Sequence, residues 1–127
     1  VRIALIVALM TGVLSLHARG AGAHAIVLES VPARDAVLEH APGRLVLRFN
    51  SKIEKRLSRI TIAAGRGVPA PLAITSDGPD SAGQPDRLVA PLPPLGPGAY
   101  AVRYKVLSAD GHITEGILRF TVTGGRP

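Results

Sequence analysis

Beyond residue 23 the chain alternates apolar and polar positions over short stretches, and glycine or proline cuts off each one. His24 to Glu29 (HAIVLE) is an apolar strand candidate, closed by the turn formers Ser30 and Pro32. Leu45, Leu47 and Phe49 alternate with Arg44, Val46 and Arg48, the period of a half-buried strand. Ile60, Ile62 and Ala64 repeat the pattern and stop at Gly65-Arg66-Gly67. Residues 68–74 contain Pro69 and Pro71, which cannot donate to a ladder, so a strand there belongs at a sheet edge. Residues 75–86 (TSDGPDSAGQPD) have loop composition, and Arg87 to Ala90 is a brief strand before a proline-rich turn. Tyr100, Val102, Tyr104 and Val106 alternate along a longer strand. Leu118, Phe120 and Val122 alternate with Ile117, Arg119 and Thr121 on the last. About seven short strands with turn signals between them, and no helical stripe, predict an all-β Greek-key sandwich or barrel of immunoglobulin-like type.

The first 23 residues follow a different rule. VRIALIVALMTGVLSL has one early cation, Arg2, and then an apolar run shorter than the roughly 20 residues a membrane-spanning helix needs. Ala21-Gly22-Ala23 then offers a small-residue cleavage site. Cation, apolar middle and small-residue exit together predict a helical signal peptide over 1–23, cut after Ala23, and a single exported domain over 24–127. No stable membrane insertion is expected after cleavage.

That cut changes what the composition says. The formal net charge of +6 invites a nucleic-acid reading. Arg2 and Arg19 leave with the leader, so 15 cations become 13 against 9 acids, a net +4. An exported chain does not meet the genome, and the run Lys52, Lys55, Arg56, Arg59 has no interleaved aromatics to stack on bases. It reads as a solvated loop or strand edge, and no nucleic-acid partner is expected. Zero cysteine excludes disulfides, thiolate zinc sites and thiol catalysis. The single methionine, Met10, lies in the leader, so the exported domain has no sulfur ligand at all.

The candidate chemistry sits at two places. Cleavage after Ala23 makes His24 the first residue, where the free α-amino group and ring Nδ1 can close a chelate ring on one metal ion. An internal histidine has only an amide nitrogen to offer beside its ring. The second place is Ser108-Ala109-Asp110-Gly111-His112, between the last two strands. Residues i and i+2 of an extended segment point to one side, so Asp110 and His112 are expected to converge. Gly111 between them frees the backbone to turn. Two imidazoles, one amine and one carboxylate form an N₃O donor set, which in tetragonal geometry suits Cu(II). Taken singly, Asp-x-His is as readily a turn-capping aspartate beside a surface histidine. His40, in a turn, reads as a surface residue, and Glu115 is a candidate second acceptor for His112.

The chain resembles the CopC family of small periplasmic copper-binding proteins of bacterial copper resistance. The resemblance is carried by HAIVLESVPARDAVL, LVLRFN and GAYAVRYKVLSADGHITEGILRFTV, with Ser108, Asp110, His112, Gly116 and Phe120 in the late motif. It implies a cupredoxin-like or immunoglobulin-like Greek-key barrel. It also implies one Cu(II) per mature chain, held by the His24 amine and imidazole, Asp110 and His112. Some family members have a methionine-rich Cu(I) loop, which this composition excludes, since soft thioethers select the reduced ion. Some place an acidic residue two positions after the strand-ending phenylalanine, where this chain has Asn50 and Ser51 after Phe49.

These readings converge on a periplasmic, monomeric Cu(II) carrier or buffer in copper resistance or homeostasis, without turnover. An inner-membrane copper transporter of the same system is its expected partner. Two other classes compete. A copper-brace oxidative enzyme would need an open metal position and an exposed aromatic substrate surface. A metal-free immunoglobulin-like interaction domain would bind no copper at all.

Overall fold

The computed structural model describes residues 25–75 and 84–124. The expected signal-peptide segment over 1–23 and His24 lie outside them, as does the middle of the loop over 75–86. Within the described residues the alternating stretches become eight strands. In order they are β1 (Val27–Val31), β2 (Ala36–Leu38), β3 (Arg44–Phe49), β4 (Arg59–Ala64), β5 (Ala70–Leu72), β6 (Arg87–Pro91), β7 (Gly98–Leu107) and β8 (Ile113–Val122). One 3₁₀ turn covers Lys55–Leu57. The strands form a three-stranded sheet, β1-β3-β6, and a five-stranded sheet, β2-β8-β7-β4-β5.

The period of two decides how the sheets meet. Leu45, Leu47 and Phe49 of β3, with Leu88 and Ala90 of β6, turn inward from the smaller sheet. Ile60, Ile62, Tyr100, Val102, Tyr104, Val106, Leu118, Phe120 and Val122 turn inward from the larger one and join them in one buried cluster. Both faces hide apolar side chains that would each cost about 1.5–3 kcal/mol to leave in water, so the sheets close on each other as a β-sandwich. All four aromatic residues are in that core. Phe49 meets Tyr104 edge-on at 5.9 Å, and Tyr100 stacks on Phe120 at 5.4 Å. The Tyr100 hydroxyl donates back to the Gly96 carbonyl (2.7 Å), anchoring the start of β7 to its own entry turn.

Three sequence expectations need correction. The first strand begins at Val27, not His24, and runs through Ser30 to Val31 because both residues pair with β3, Ser30 with Leu47 and Val31 with Val46. A three-residue strand, β2, was hidden between two turns and brings the number to eight. It pairs parallel with β8, a contact across more than 80 residues that no local pattern encodes. Ala64 is exposed although it continues the inward alternation, because β4 overruns the core there and turns at Gly65. The proline-bearing strand, β5, does lie at the sheet edge, with Pro71 opposite Thr61.

Candidate metal centre

The longest pairing in the molecule is the antiparallel ladder of β7 and β8, from Gly98↔Val122 to Leu107↔Ile113. The turn that closes it is residues 108–112, so the length of this ladder places Asp110 and His112 at one end of the sandwich. Ser108 is buried (1% exposed) at the base of the turn. Its N–H donates to the His112 carbonyl (2.9 Å), and the Gly111 N–H donates to the Ser108 carbonyl (2.9 Å). Gly111 sits at φ +91°, a left-handed region that L side chains rarely adopt. The turn is fixed from outside as well: Ala109 N–H donates to the Lys52 carbonyl (3.0 Å), and Glu54 N–H donates to the Leu107 carbonyl (2.8 Å).

Asp110 and His112 do converge, with Asp110 Oδ2 3.2 Å from His112 Nδ1. Strand alternation is not the cause, because neither residue is in a strand. Asp110 Oδ1 accepts the His112 backbone N–H (3.2 Å), an Asx-type turn that Gly111 makes possible. A nitrogen and an oxygen at this spacing can share one first-row metal ion at bonds of about 2.0–2.2 Å. Both side chains are partly open to solvent.

The electrostatics hold Asp110 ionised. The Ser108 hydroxyl hydrogen bond to Oδ1, then the His112 backbone N–H, bring its pKa down to about 2. A carboxylate stabilised in the folded state adds stability above the unfolded value near 3.8, and that part is lost as pH falls through the folded value. Ser108→Ala is expected to raise the Asp110 pKa toward 3.8 and flatten the stability profile between those limits. Carbon-detected NMR titration of the Asp110 carboxyl and acid unfolding check it; an unchanged pKa would show that the hydroxyl does not set it.

The N-terminal end of the described chain reaches the same region. Asn50 grips Ile26 at two points: Asn50 Oδ1 accepts the Ile26 N–H (2.8 Å), and the Asn50 N–H donates to the Ile26 carbonyl (3.0 Å). Two residues on, Lys52 takes the hydrogen bond from Ala109, and Ile53 bridges to Ser108. Ala25, next to His24, is buried (1% exposed). One short segment, 50–53, therefore ties down both the chain just after His24 and the Asp110–His112 turn. Asn50, which the sequence offered only as the neighbour of a position that is acidic in some family members, is the clamp. Ser108 was visible only as a motif position, and its role needed the turn to be folded.

The other two candidates lie elsewhere. His40 follows β2, whose Leu38 pairs with Val122 at the far end of β8. Ten residues of β8 separate the two ends, roughly 30 Å, so His40 cannot share an ion with His112. Glu115 Oε1 stands 3.1 Å from Lys105 Nζ, its partner across the ladder. Among the described residues no group of three or more His, Asp or Glu could hold a metal, and no helix is long and apolar enough to cross a membrane.

The whole described fold has relatives. A family model for the CopC domain matches residues 27–123. The chain belongs to the CopC family. It is 30% identical over 112 residues to copper resistance protein C of Xanthomonas campestris pv. juglandis, an alignment spanning 85% of this chain and 87% of that one. The crystal structure of CopC from Methylosinus trichosporium OB3b matches with a TM-score of 0.73 at 30% identity, covering 82% of this chain and 98% of that one. PcoC from Escherichia coli, a methionine-rich copper resistance protein, matches with a TM-score of 0.61 at 30% identity, covering 80% and 100%. The CopC-family chain described here has only Met10, so it shares that relative's fold without its methionines.

Proposed function

We propose that this CopC-family chain is a periplasmic Cu(II) carrier or buffer in copper resistance or homeostasis. In this reading the leader is cut after Ala23, and one Cu(II) is held by the His24 amine and imidazole, Asp110 and His112. The observation that carries it is the convergence of Asp110 Oδ2 and His112 Nδ1 in a turn anchored to the segment that also grips Ile26. The donor chemistry fits oxidised copper: imidazole and carboxylate suit Cu(II), and an exported domain without cysteine or methionine offers Cu(I) no soft ligand. Family membership, and relatives named for copper resistance, support the same reading.

The oxidative alternative meets an obstacle in the core. Phe49, Tyr100, Tyr104 and Phe120 are the chain's only aromatic residues, and all are buried, so none is available to stack on a substrate chain. The test is mass analysis of the exported N-terminus followed by Cu(II) titration monitored by EPR. A one-to-one complex with several coordinated nitrogens is expected on a chain that begins at His24. Absence of Cu(II) binding by that chain would overturn the reading and favour a metal-free interaction domain.

The same titration at several pH values separates the donors. Cu(II) needs a free amine and neutral imidazoles, which ordinarily lose their protons near 7.7–8.0 and 6.5. Asp110, held near 2, stays ionised throughout that range. Affinity is therefore expected to fall steadily from about pH 8 to pH 6 and to show no separate carboxylate step above pH 4. Affinity flat across this range would mean that the nitrogen donors do not bind the metal.

A further inference from the structure

The outer face of the smaller sheet carries a charge arrangement that copper binding does not use. The register of β1, β3 and β6 sets Glu29, Arg48 and Arg87 in one row and Val31, Val46 and Val89 in the next. Arg44, two positions before Val46 on the same face of β3, closes the far side. Three arginines and one carboxylate thus surround Val31 and Val46, and with Ser30 these residues line a groove of about 150 Å³.

Two features of this groove are costly for folding alone. Arg48 and Arg87 stand directly opposite each other across the ladder, a like-charge pairing that destabilises a sheet. The Nε of Arg87 is buried and has no hydrogen-bond partner. Glu29 relieves only part of this: its Oε2 accepts from Arg48 Nε (2.9 Å), one of five N–H donors on that guanidinium. Asp86 also acts on Arg48 but does not line the groove. The lining groups sum to two positive charges in a space large enough for a tetrahedral anion.

We propose that the groove between Arg44, Arg48 and Arg87 binds a dianion of the phosphate class, either free or as a phosphomonoester. Guanidinium forks match the oxygens of such a group in pairs, whereas a single chloride satisfies neither the charge nor the geometry. The site lies on the three-stranded sheet and shares no residue with the proposed copper ligands.

The probe is inorganic phosphate, followed by ³¹P NMR line width on the purified protein at constant ionic strength held with chloride. Saturable broadening in the millimolar range is expected, with affinity reduced about tenfold or more by Arg87→Gln, since a charge-assisted hydrogen-bond partner is lost. Arg87→Gln also removes the opposed charge, so its Tm without phosphate is expected to equal or exceed that of the unmodified chain. Should that variant fail to fold, Arg44→Gln, at an exposed position, provides the same affinity comparison. Glycerol phosphate binding tighter than phosphate would identify the ligand as a headgroup, and equal binding as the free ion. Broadening that never saturates, or affinity unchanged in the folded variants, would overturn the site.

Discussion

A single glycine placed ahead of His24 is expected to weaken Cu(II) binding by at least about 100-fold. The reason is covalent. In the proposed site His24, as the first residue, contributes an amine and a ring nitrogen to one chelate, but behind a glycine its nitrogen becomes an amide that no longer binds as an amine does. Removing a partner that merely orients a ligand costs about 10–100-fold in metal affinity, and this change removes a ligand itself. Competition titration against a chromophoric Cu(II) chelator measures the loss, and EPR should report fewer coordinated nitrogens. His40→Ala is the matched control, because the β8 ladder keeps that histidine at the opposite end of the sandwich. It should bind copper like the unmodified chain. Equal affinity with and without the added glycine would sink the assignment of His24, even if Asp110 and His112 still bound metal.

Gly116→Ala is expected to destabilise the fold by about 1–3 kcal/mol, the usual range for forcing extra atoms into a packed core. Gly116 faces Tyr104 across the β7–β8 ladder. A Cβ there would overlap the Tyr104 hydroxyl oxygen and the ring carbon bearing it. The ring is also packed in the core, where it meets Phe49 edge-on. For a domain of this size such a loss lowers Tm by very roughly 5–20 °C. Thermal unfolding of the metal-free protein checks it, and Tyr104→Leu in the same chain should recover much of the loss by removing the ring that clashes. If Gly116→Ala melted with the unmodified chain, the close approach of ring and glycine would not be a packing constraint.

The family motif thus mixes two kinds of residue that look alike in sequence. Asp110 and His112 are the proposed copper ligands, brought together in one turn. Gly116 and Phe120 are spaced for packing, one as the space under Tyr104 and the other as the ring stacked on Tyr100. Ser108 belongs to both, buried under the turn while its hydroxyl holds Asp110 ionised. A spacing pattern cannot sort these roles, because it records which residues recur along the chain and not what each one touches.

The sequence by itself determined the all-β class, most of the strands, the inward faces of β3, β7 and β8, and the pairing of Asp110 with His112 as candidates. These depend on periods of two and on neighbours within a few residues, which are local properties of the backbone. Composition by itself also excluded cysteine ligands and left Met10 as the one methionine. Only the tertiary structure decided the parallel pairing of β2, the separation of His40 from the turn, the grip of Asn50 on Ile26 and the Tyr104 ring over Gly116. Each of these joins residues at least 12 apart in the chain. Their contacts follow from how two sheets close over one core, and an apolar pattern specifies which face is buried but not which residue will lie against it.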